Sequence, residues 1–367
     1  MPSPDIERSP RPAVCVVNYN GATYLPRTLG RILELRDQFD TVLLVDDAST
    51  DASVEVARQH LTDDGVIVLP KNAGPGGARN AGFVALKADR VLFLDNDVFL
   101  GSDTVRILSE ALDEAPKAVM ALPRIVSDDE PDTVEYEGGE AHFSGLVTLR
   151  GAGKSRSGSP AGPPVRVGSM IACCFLFDRR RWGQEPLFDP LFPMYLEDHE
   201  FGLRTNLMGH DVLTVSAAEC GHGKGTPGIS IRATGGHTAI RVRQTILNRW
   251  QLMAKLYQGR TFLLMAPTFL LFEISQFLGC LVLGWGGHWM WAAGTFVRRT
   301  PELLKRRKGF RASRARSDTE VLTSGPHPLN AALARRPFAR LAFAVLDRLG
   351  HVNWRLATFA LARSRRS

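Results

Sequence analysis

Short apolar runs recur along the first third of the chain, and each stops at a polar cluster. AVCVVN at 13–18 runs into Tyr19-Asn20-Gly21, and the run at 41–45 stops at Asp46-Asp47. The run at 66–69 gives way to KNAGPGGARNAG, and VLFLDNDVFL at 91–100 is interrupted by Asp95-Asn96-Asp97. Runs of this length, rich in β-branched residues, predict strands buried on both faces of a parallel sheet. Between them the apolar spacing turns helical. One helix passes through Leu25, Leu29, Ile32 and Leu33, one covers 51–60 with Ser49 or Thr50 as its cap, and others cover 78–87 and 104–112 before a fifth strand at 118–122. Strands and helices in alternation predict an α/β fold: a Rossmann-like, mostly parallel sheet with flanking helices.

Several predicted strands end in polar residues on the same edge: Asn18, Asp46 and Asp47, Asn72, then Asp95 and Asp97. In open α/β sheets that edge lines one cleft, and this collection suits a nucleotide. Two carboxylates one residue apart beside a core strand are costly unless a cation neutralises them. Hard oxygen ligands point to Mg²⁺ or Mn²⁺, ions that keep waters and bridge phosphates. The stretch 74–82, GPGGARNAG, fails the GxGxxG pattern because Arg79 stands where the third glycine belongs. Gly74 still opens a glycine-rich helix start able to offer N–H groups to phosphate, and Arg79 adds a guanidinium fork.

The texture changes at 128–162, which is rich in Gly, Asp, Glu, Ser and Pro and predicts a mobile loop. Apolar character returns at 165–177. In YLEDHEFGLR, residues 195–204, Leu196, Phe201, Leu203 and Leu207 pack one side of a helix whose first turn holds Glu197, Asp198 and Glu200. Acids there are favoured by the helix dipole, and their apolar setting raises a carboxylate pKa toward general-base use, by Asp198 or Glu200. CGHGKG follows a strand at 211–215. His222 suits a divalent metal shared with the Asp pair, and Lys224 suits phosphate.

VVNYNG, VDDASTDAS, NAGPGGARNAG, LFLDNDV and YLEDHEFGLR, in this order, resemble inverting glycosyltransferase family 2, whose fold is GT-A, including its bacterial polysaccharide and rhamnosyltransferase members. The resemblance covers about residues 12–250. It implies transfer of a sugar from a nucleotide-diphospho-sugar to an acceptor hydroxyl, with Mn²⁺ or Mg²⁺ as cofactor. Asn18 and Asp46 fall where the family holds base and ribose, in segments that also carry Asn20, Asp47 and Asp51. Asp95 and Asp97 match its DXD motif around Asn96, and Arg79 a position near the diphosphate. Asp198, beside Glu197, matches its general base. His222 falls where members place a further metal ligand.

Charge divides the chain. The net charge is +7, but from Arg298 onward 17 Lys/Arg face 4 Asp/Glu, a local +13 that leaves −6 for the rest. Just before this tail, 261–297 carries a single residue charged at neutral pH, Glu273. The length permits a span over 261–283, but Glu273 and Gln276 would sit mid-bilayer, and one span would put the basic tail opposite the catalytic domain. A hairpin or in-plane helices, with Trp285, Trp289 and Trp291 at headgroup level, meet both constraints. A buried helical pair or a homodimer interface is the soluble alternative.

The basic stretch 328–363, with Leu329, Leu333, Phe338, Leu341, Phe343 and Leu346 among its apolar positions, continues as an amphipathic helix toward anionic lipids. No nucleic-acid module accompanies the tail. The expected organisation is a disordered 1–12, a catalytic 13–258, hydrophobic helices at 259–310 and a basic helical tail at 311–367. Five cysteines without a CxxC pair and a start without an apolar signal segment fit the cytoplasmic face of a membrane. The expected acceptor is a glycan or lipid-linked glycan. The rivals are a nucleotidyltransferase on a similar sheet and a non-catalytic scaffold.

Overall fold

The computed structural model describes residues 11–183, 186–230, 233, 237–326 and 337–363. Most of the expected disordered N-terminus therefore lies outside the described residues, as do Leu329, Leu333 and the side chain of Phe338.

The parallel half of the sheet comprises β1 (Ala13–Asn18), β2 (Val42–Asp46), β3 (Val66–Val68) and β4 (Arg90–Asp95), in the order β3-β2-β1-β4. Register sets Asn18 opposite Asp46 and Val17 opposite Asp95, so three strands deliver their polar ends to one edge. The intervening helices are α1 (Leu25–Glu34), α2 (Ser53–His60) and α3 (Gly74–Ala85), followed by α4 (Thr104–Glu114). Alternation along β1 splits the core into two layers. Val14 and Val16 pack with Leu29, Ile32 and Leu108 on one face, while Ala13, Cys15 and Val17 pack with Phe83, Phe93 and Phe175 on the other. Each such side chain contributes about 1.5–3 kcal/mol on burial. α3 lies so close to β1 that a Cβ on Gly82 would stand 2.2 Å from the Cys15 Sγ.

The run at 91–100 is not one strand. Chain direction changes at Asn96-Asp97, and β5 (Val98–Leu100) pairs with a different strand, β12 (Asp211–His222). β6 (Ala118–Ser127) outruns its expected end because it pairs with β12 along its whole length. The expected mobile loop is built instead from β7 (Val134–Tyr136), β8 (Gly139–Ala141) and β9 (Val147–Leu149), tied by backbone bonds such as Val134 N–H to the Lys154 carbonyl at 2.9 Å. β10 (Val165–Arg166) forms the edge beyond β12. β11 (Cys174–Asp178) runs antiparallel between β4 and β6.

α5 (Glu197–Leu207) carries the acid cluster, and α6 (Ala239–Leu256) follows β12. Then come α7 (Gly259–Val282), α8 (Gly286–Ser313), the short α9 (Asp318–Val321) and α10 (Pro337–Arg363). α7 and α8 follow each other through a short turn, but α8 packs mainly on α6 and α7 mainly on α10. A third apolar cluster joins Leu203 and Leu207 of α5, Leu252 and Leu256 of α6, Met265 of α7, Leu303 of α8 and Trp354 of α10. The core is thus continuous across the expected boundary at 258.

Glu273 carries a partner that the sequence did not disclose. It accepts from the guanidinium of Arg249 and from Trp250 Nε1 at 2.9 Å, fixing α7 to α6. The tryptophans divide. Trp285 and Trp289 pack against Val242, Ile246 and Leu247, with Trp289 edge-on to Trp250 at 5.3 Å, because the turn after α7 folds back onto α6. Trp291 stays exposed. Much of the basic stretch 298–316 also serves the protein itself. Arg306 binds Asp189 at 2.7 Å, Arg314 binds Asp318 at 2.9 Å and Arg316 binds Asp211 at 2.5 Å.

Candidate active site

A cavity of about 1060 Å³ opens where the carboxyl edge of the sheet meets α5, α6 and α7. Val17, Tyr19, Asp47, Asn72, Asp95, Asn96 and Asp97 line it from the sheet, Glu197 and Asp198 from α5, and Arg241, Ile246 and Cys280 from α6 and α7.

The sheet side is a hydrogen-bonded frame. Asn18, fully buried, donates to Asp46 Oδ2 at 2.6 Å and accepts from Asn96 Nδ2 at 2.7 Å. Asp46 also accepts from the Ser49 N–H and hydroxyl, at 2.8 and 2.6 Å. Neither Asn18 nor Asp46 lines the cavity: their polar atoms hold the β1 and β2 loops together. Asn20 Oδ1 accepts from the Thr50 N–H at 2.8 Å, and Asp51 accepts from the N–H groups of Ala22 and Ser53. Ser49 and Thr50 therefore do not cap α2, whose N-cap is Ala52.

The glycine-rich turn departs from its expected use. Asp47 Oδ1 accepts from the Ala73 N–H at 2.6 Å and Asn72 Oδ1 from the Gly74 N–H at 3.2 Å, so a carboxylate of the chain already occupies the start of α3. Burial pushes Asp47 up to about 6 against these bonds. Gly74 sits at φ +77°, and a Cβ there would stand 1.8 Å from the Pro193 carbonyl oxygen. Its requirement is steric. Arg79 is buried beneath the cavity floor, where it donates to Asp95 and, at 2.9 Å, to the Ala172 carbonyl. Asp95, Glu197 and Asp198 surround this cation, and their charges hold its pKa up.

A strained turn delivers the acids. Tyr195 and Leu196 both adopt φ +61°, a left-handed conformation unfavourable for non-glycine residues. Asn248 Nδ2 pins it by donating to the carbonyls of Met194 and Tyr195, at 2.9 and 2.6 Å. Glu197 and Asp198 then face the cavity, and burial raises both pKa values, Glu197 to about 8 with Asp198 as its second cause. Glu200 is a correction. It points away from the cavity and accepts from Arg204 at 2.8 Å and Lys255 at 2.6 Å. Asp198 and Glu200 are two positions apart on the helix, about 200° of rotation, so both cannot face the same cleft.

At the far end of β12, His222 Nδ1 lies 2.8 Å from Glu135 Oε2, and Nε2 lies 3.6 Å from Asp97 Oδ1. An ionised Glu135 carboxylate can only accept from Nδ1, so Nε2 is the ring nitrogen facing Asp97, an arrangement common at metal sites. Among the described residues no three His, Cys, Asp or Glu side chains form a metal-holding group. Asp97 and His222 fit a divalent ion whose other ligands come from phosphate and water. Asp95, held by Arg79, stands one step removed. Lys224 pairs with Asp129 at 3.2 Å on the surface, away from the cavity.

Residues 13–178 match the sequence profile of Glycosyl transferase family 2. They form a glycosyl transferase family 2 domain. A succinoglycan biosynthesis protein of Rhizobium meliloti is 34% identical over 31% of this chain and 33% of its own length. An N-acetylglucosaminyl-diphospho-decaprenol L-rhamnosyltransferase of Mycobacterium tuberculosis is 27% identical over 58% of this chain and 75% of its own. The chain spans about a third of the length of the first curated relatives it matches, at 35% and 27% of each. By fold, the chain is similar to the crystal structure of GalNAc-T7 with UDP, GalNAc and Mn²⁺, at TM-score 0.56 and 17% identity, over 74% of this chain and 51% of that one. The family 2 profile ends at β11, before the acids of α5 and His222. Sequence reasoning found those residues but missed Tyr19, Glu135 and Arg241. Glu135 lies in the segment taken for a loop, and Arg241 in a helix without a motif.

Proposed function

We propose that the chain is a metal-dependent, inverting glycosyltransferase that moves a sugar from a nucleoside-diphosphate sugar to a lipid-linked acceptor at a membrane face. One observation carries this reading: Asp97 lines the same cavity as the acids Glu197 and Asp198, with His222 3.6 Å from it and held in turn by Glu135. Asp97 and His222 would hold a divalent ion, which would supply positive charge to the leaving diphosphate. Asn96 and Tyr19 bound the nucleotide end. Asp198 takes the proton of the acceptor hydroxyl as its oxygen attacks the anomeric carbon and the C–O bond to the diphosphate breaks, its electron pair leaving with phosphate. A single displacement inverts that carbon. Arg79 pairs with Asp95 beneath the donor, while Glu197, raised to about 8, is neutral at pH 7 and spares Asp198 a second negative neighbour.

The curated relative acting on a diphospho-decaprenol, and another named as an undecaprenyl-phosphate transferase, support a lipid-linked acceptor. The outer helices support the membrane. Leu263, Leu270, Ile274, Leu278 and Leu281 of α7 are exposed, as are Leu341, Val345, Leu349, Leu356 and Phe359 of α10. α7 is long and apolar enough to cross a bilayer, yet it is fastened to α6 through Glu273 and to α10, which favours lying in the interface. The test is a panel of nucleotide-sugars with Mn²⁺, scored by product. Free nucleoside diphosphate supports the reading, whereas pyrophosphate marks nucleotidyl transfer and overturns it.

A further inference from the structure

We infer that the half of the cavity remote from Asp97 is a subsite for a prenyl diphosphate, in which Arg241 and His237 receive the phosphate and the slot between α6 and α7 receives the first isoprene units. This rests on the glycosyltransferase reading above, and adds which residues hold the acceptor and in which direction it enters. The cavity has two chemically opposite ends. Carboxylates crowd the sheet end, whereas Val242, Ile246, Cys280, Leu283 and Trp285 make the other end apolar. A single ligand spanning both needs an anionic or polar head and a hydrocarbon tail. At about 1060 Å³ the cavity sits at the upper limit of ligand sites, about 300–1,000 Å³, which leaves room beside a nucleotide-sugar.

The joint between the two ends is cationic. Arg241 stacks on the Tyr195 ring at 4.7 Å from its centroid, two residues before Glu197, so its charge stands next to the strained turn that presents Asp198. His237 lines the same stretch, edge-on to Trp285 at 6.2 Å, and partial desolvation and Arg241 lower its pKa, leaving a ring N–H able to donate. A planar guanidinium with an imidazole N–H beside it suits phosphate oxygens, and the acids nearby disfavour a second phosphate, without a metal of its own, lying closer to the sheet than the donor's. The direction of the tail follows from α7. Cys280 and Leu283 face the cavity, while Leu278, Leu281 and Val282 on the same turns are exposed on the outer apolar face. One helix therefore separates the slot from the surface assigned to the bilayer, and a prenyl chain passes from lipid to slot along it. The sugar borne by the diphosphate then lies toward Asp198.

Binding to the purified full-length chain tests this, with the donor site first saturated by Mn²⁺ and whichever of UDP, GDP or dTDP binds. Geranyl, farnesyl and geranylgeranyl diphosphate, with inorganic pyrophosphate as the tail-less probe, are titrated by tryptophan fluorescence. Affinity is expected to rise with chain length. Arg241→Gln should weaken farnesyl diphosphate by about tenfold, the size of one lost charge-assisted bond. Cys280→Trp, which fills the slot, should abolish the chain-length dependence and leave nucleoside diphosphate affinity unchanged. If that variant fails to fold, Ile246→Phe narrows the slot from α6, and the wild-type chain-length series decides alone. Pyrophosphate binding as tightly as the prenyl diphosphates, or both variants behaving as wild type, overturns the subsite. If no nucleoside diphosphate binds, the glycosyltransferase reading falls, whereas nucleotide binding with no chain-length dependence removes the subsite only.

Discussion

At the sheet end of the cavity, Asn18, Asp46, Ser49 and Asn96 exchange side-chain hydrogen bonds of 2.6–3.2 Å across three strand ends, and few polar atoms there are left to choose their own partners. At the helical end, α6, α7 and α8 meet through packed rings, with polar contacts fewer and set apart: the cluster of Arg249 and Trp250 with Glu273 and Gln276 between α6 and α7, and Arg299 and Arg307 of α8 on Gln251 and the Ala254 carbonyl of α6. The first arrangement is directional and rigid, as a site that orients a diphosphate and a metal requires. The second depends on shape and burial, which tolerate an adaptable hydrocarbon. In the reading proposed above, reaction and recognition fall on different materials, and α5 joins them. Its inner acids face the cavity, while Glu200 on its back is tied by Lys255 to Asp189, which also holds Arg306 of α8.

The comparison breaks most sharply at Asp198. Asp198→Asn should lower turnover at least about a hundredfold while nucleotide affinity persists, as expected for loss of a general base. Glu200→Gln probes the back of the same helix, and should appear first as a lower Tm. A Glu200 variant that folds normally and is equally dead would return that residue to the chemistry. On the helical side, Glu273→Ala leaves buried Arg249 without its carboxylate partner, facing the Ser144 carbonyl, Gln276 and the Met253 sulfur, and should cost about 3 kcal/mol, read by denaturant unfolding. An unchanged midpoint would mean that α7 does not depend on this anchor.

Glu135→Gln should weaken Mn²⁺-dependent nucleotide binding by about 10–100-fold, the usual effect of removing a group that orients a ligating histidine. Calorimetry with and without EDTA measures it, and equal affinity would remove His222 from the metal. The smallest effect concerns pH. Glu197 has its pKa raised from 4.5 to about 8, so the fold binds its proton more tightly than the unfolded chain does. Stability from this group is present below the unfolded value and is lost as pH rises through 8. Glu197→Gln should therefore raise Tm by a few degrees at pH 9 and hardly at pH 5. Equal shifts at both would show that Glu197 is ionised throughout.

The strand-and-turn pattern read from residues 13–100 corresponds to the sheet within a residue or two at most ends, because a strand buried on both faces must be apolar and its loop must be polar. The acids of α5 were equally legible as a cluster, since Glu197, Asp198 and Glu200 fall together in the chain. Their roles were not. Which acid faces the cavity depends on the rotation of α5, and that is set by Phe201, Leu203 and Leu207 packing into two separate cores.

Similarly, the alternation of apolar runs and polar stops determined by itself that a parallel sheet would gather Asn18, Asp46, Asp95 and Asp97 at one edge. Only the tertiary structure decided that Asp47 rather than phosphate caps α3, that Glu135 reaches His222 across 87 residues, and that Arg249 neutralises Glu273. The physical reason is the range of the interactions. Backbone periodicity is written in neighbouring residues, whereas a hydrogen bond or ion pair is fixed by whichever groups the finished packing brings within about 3 Å.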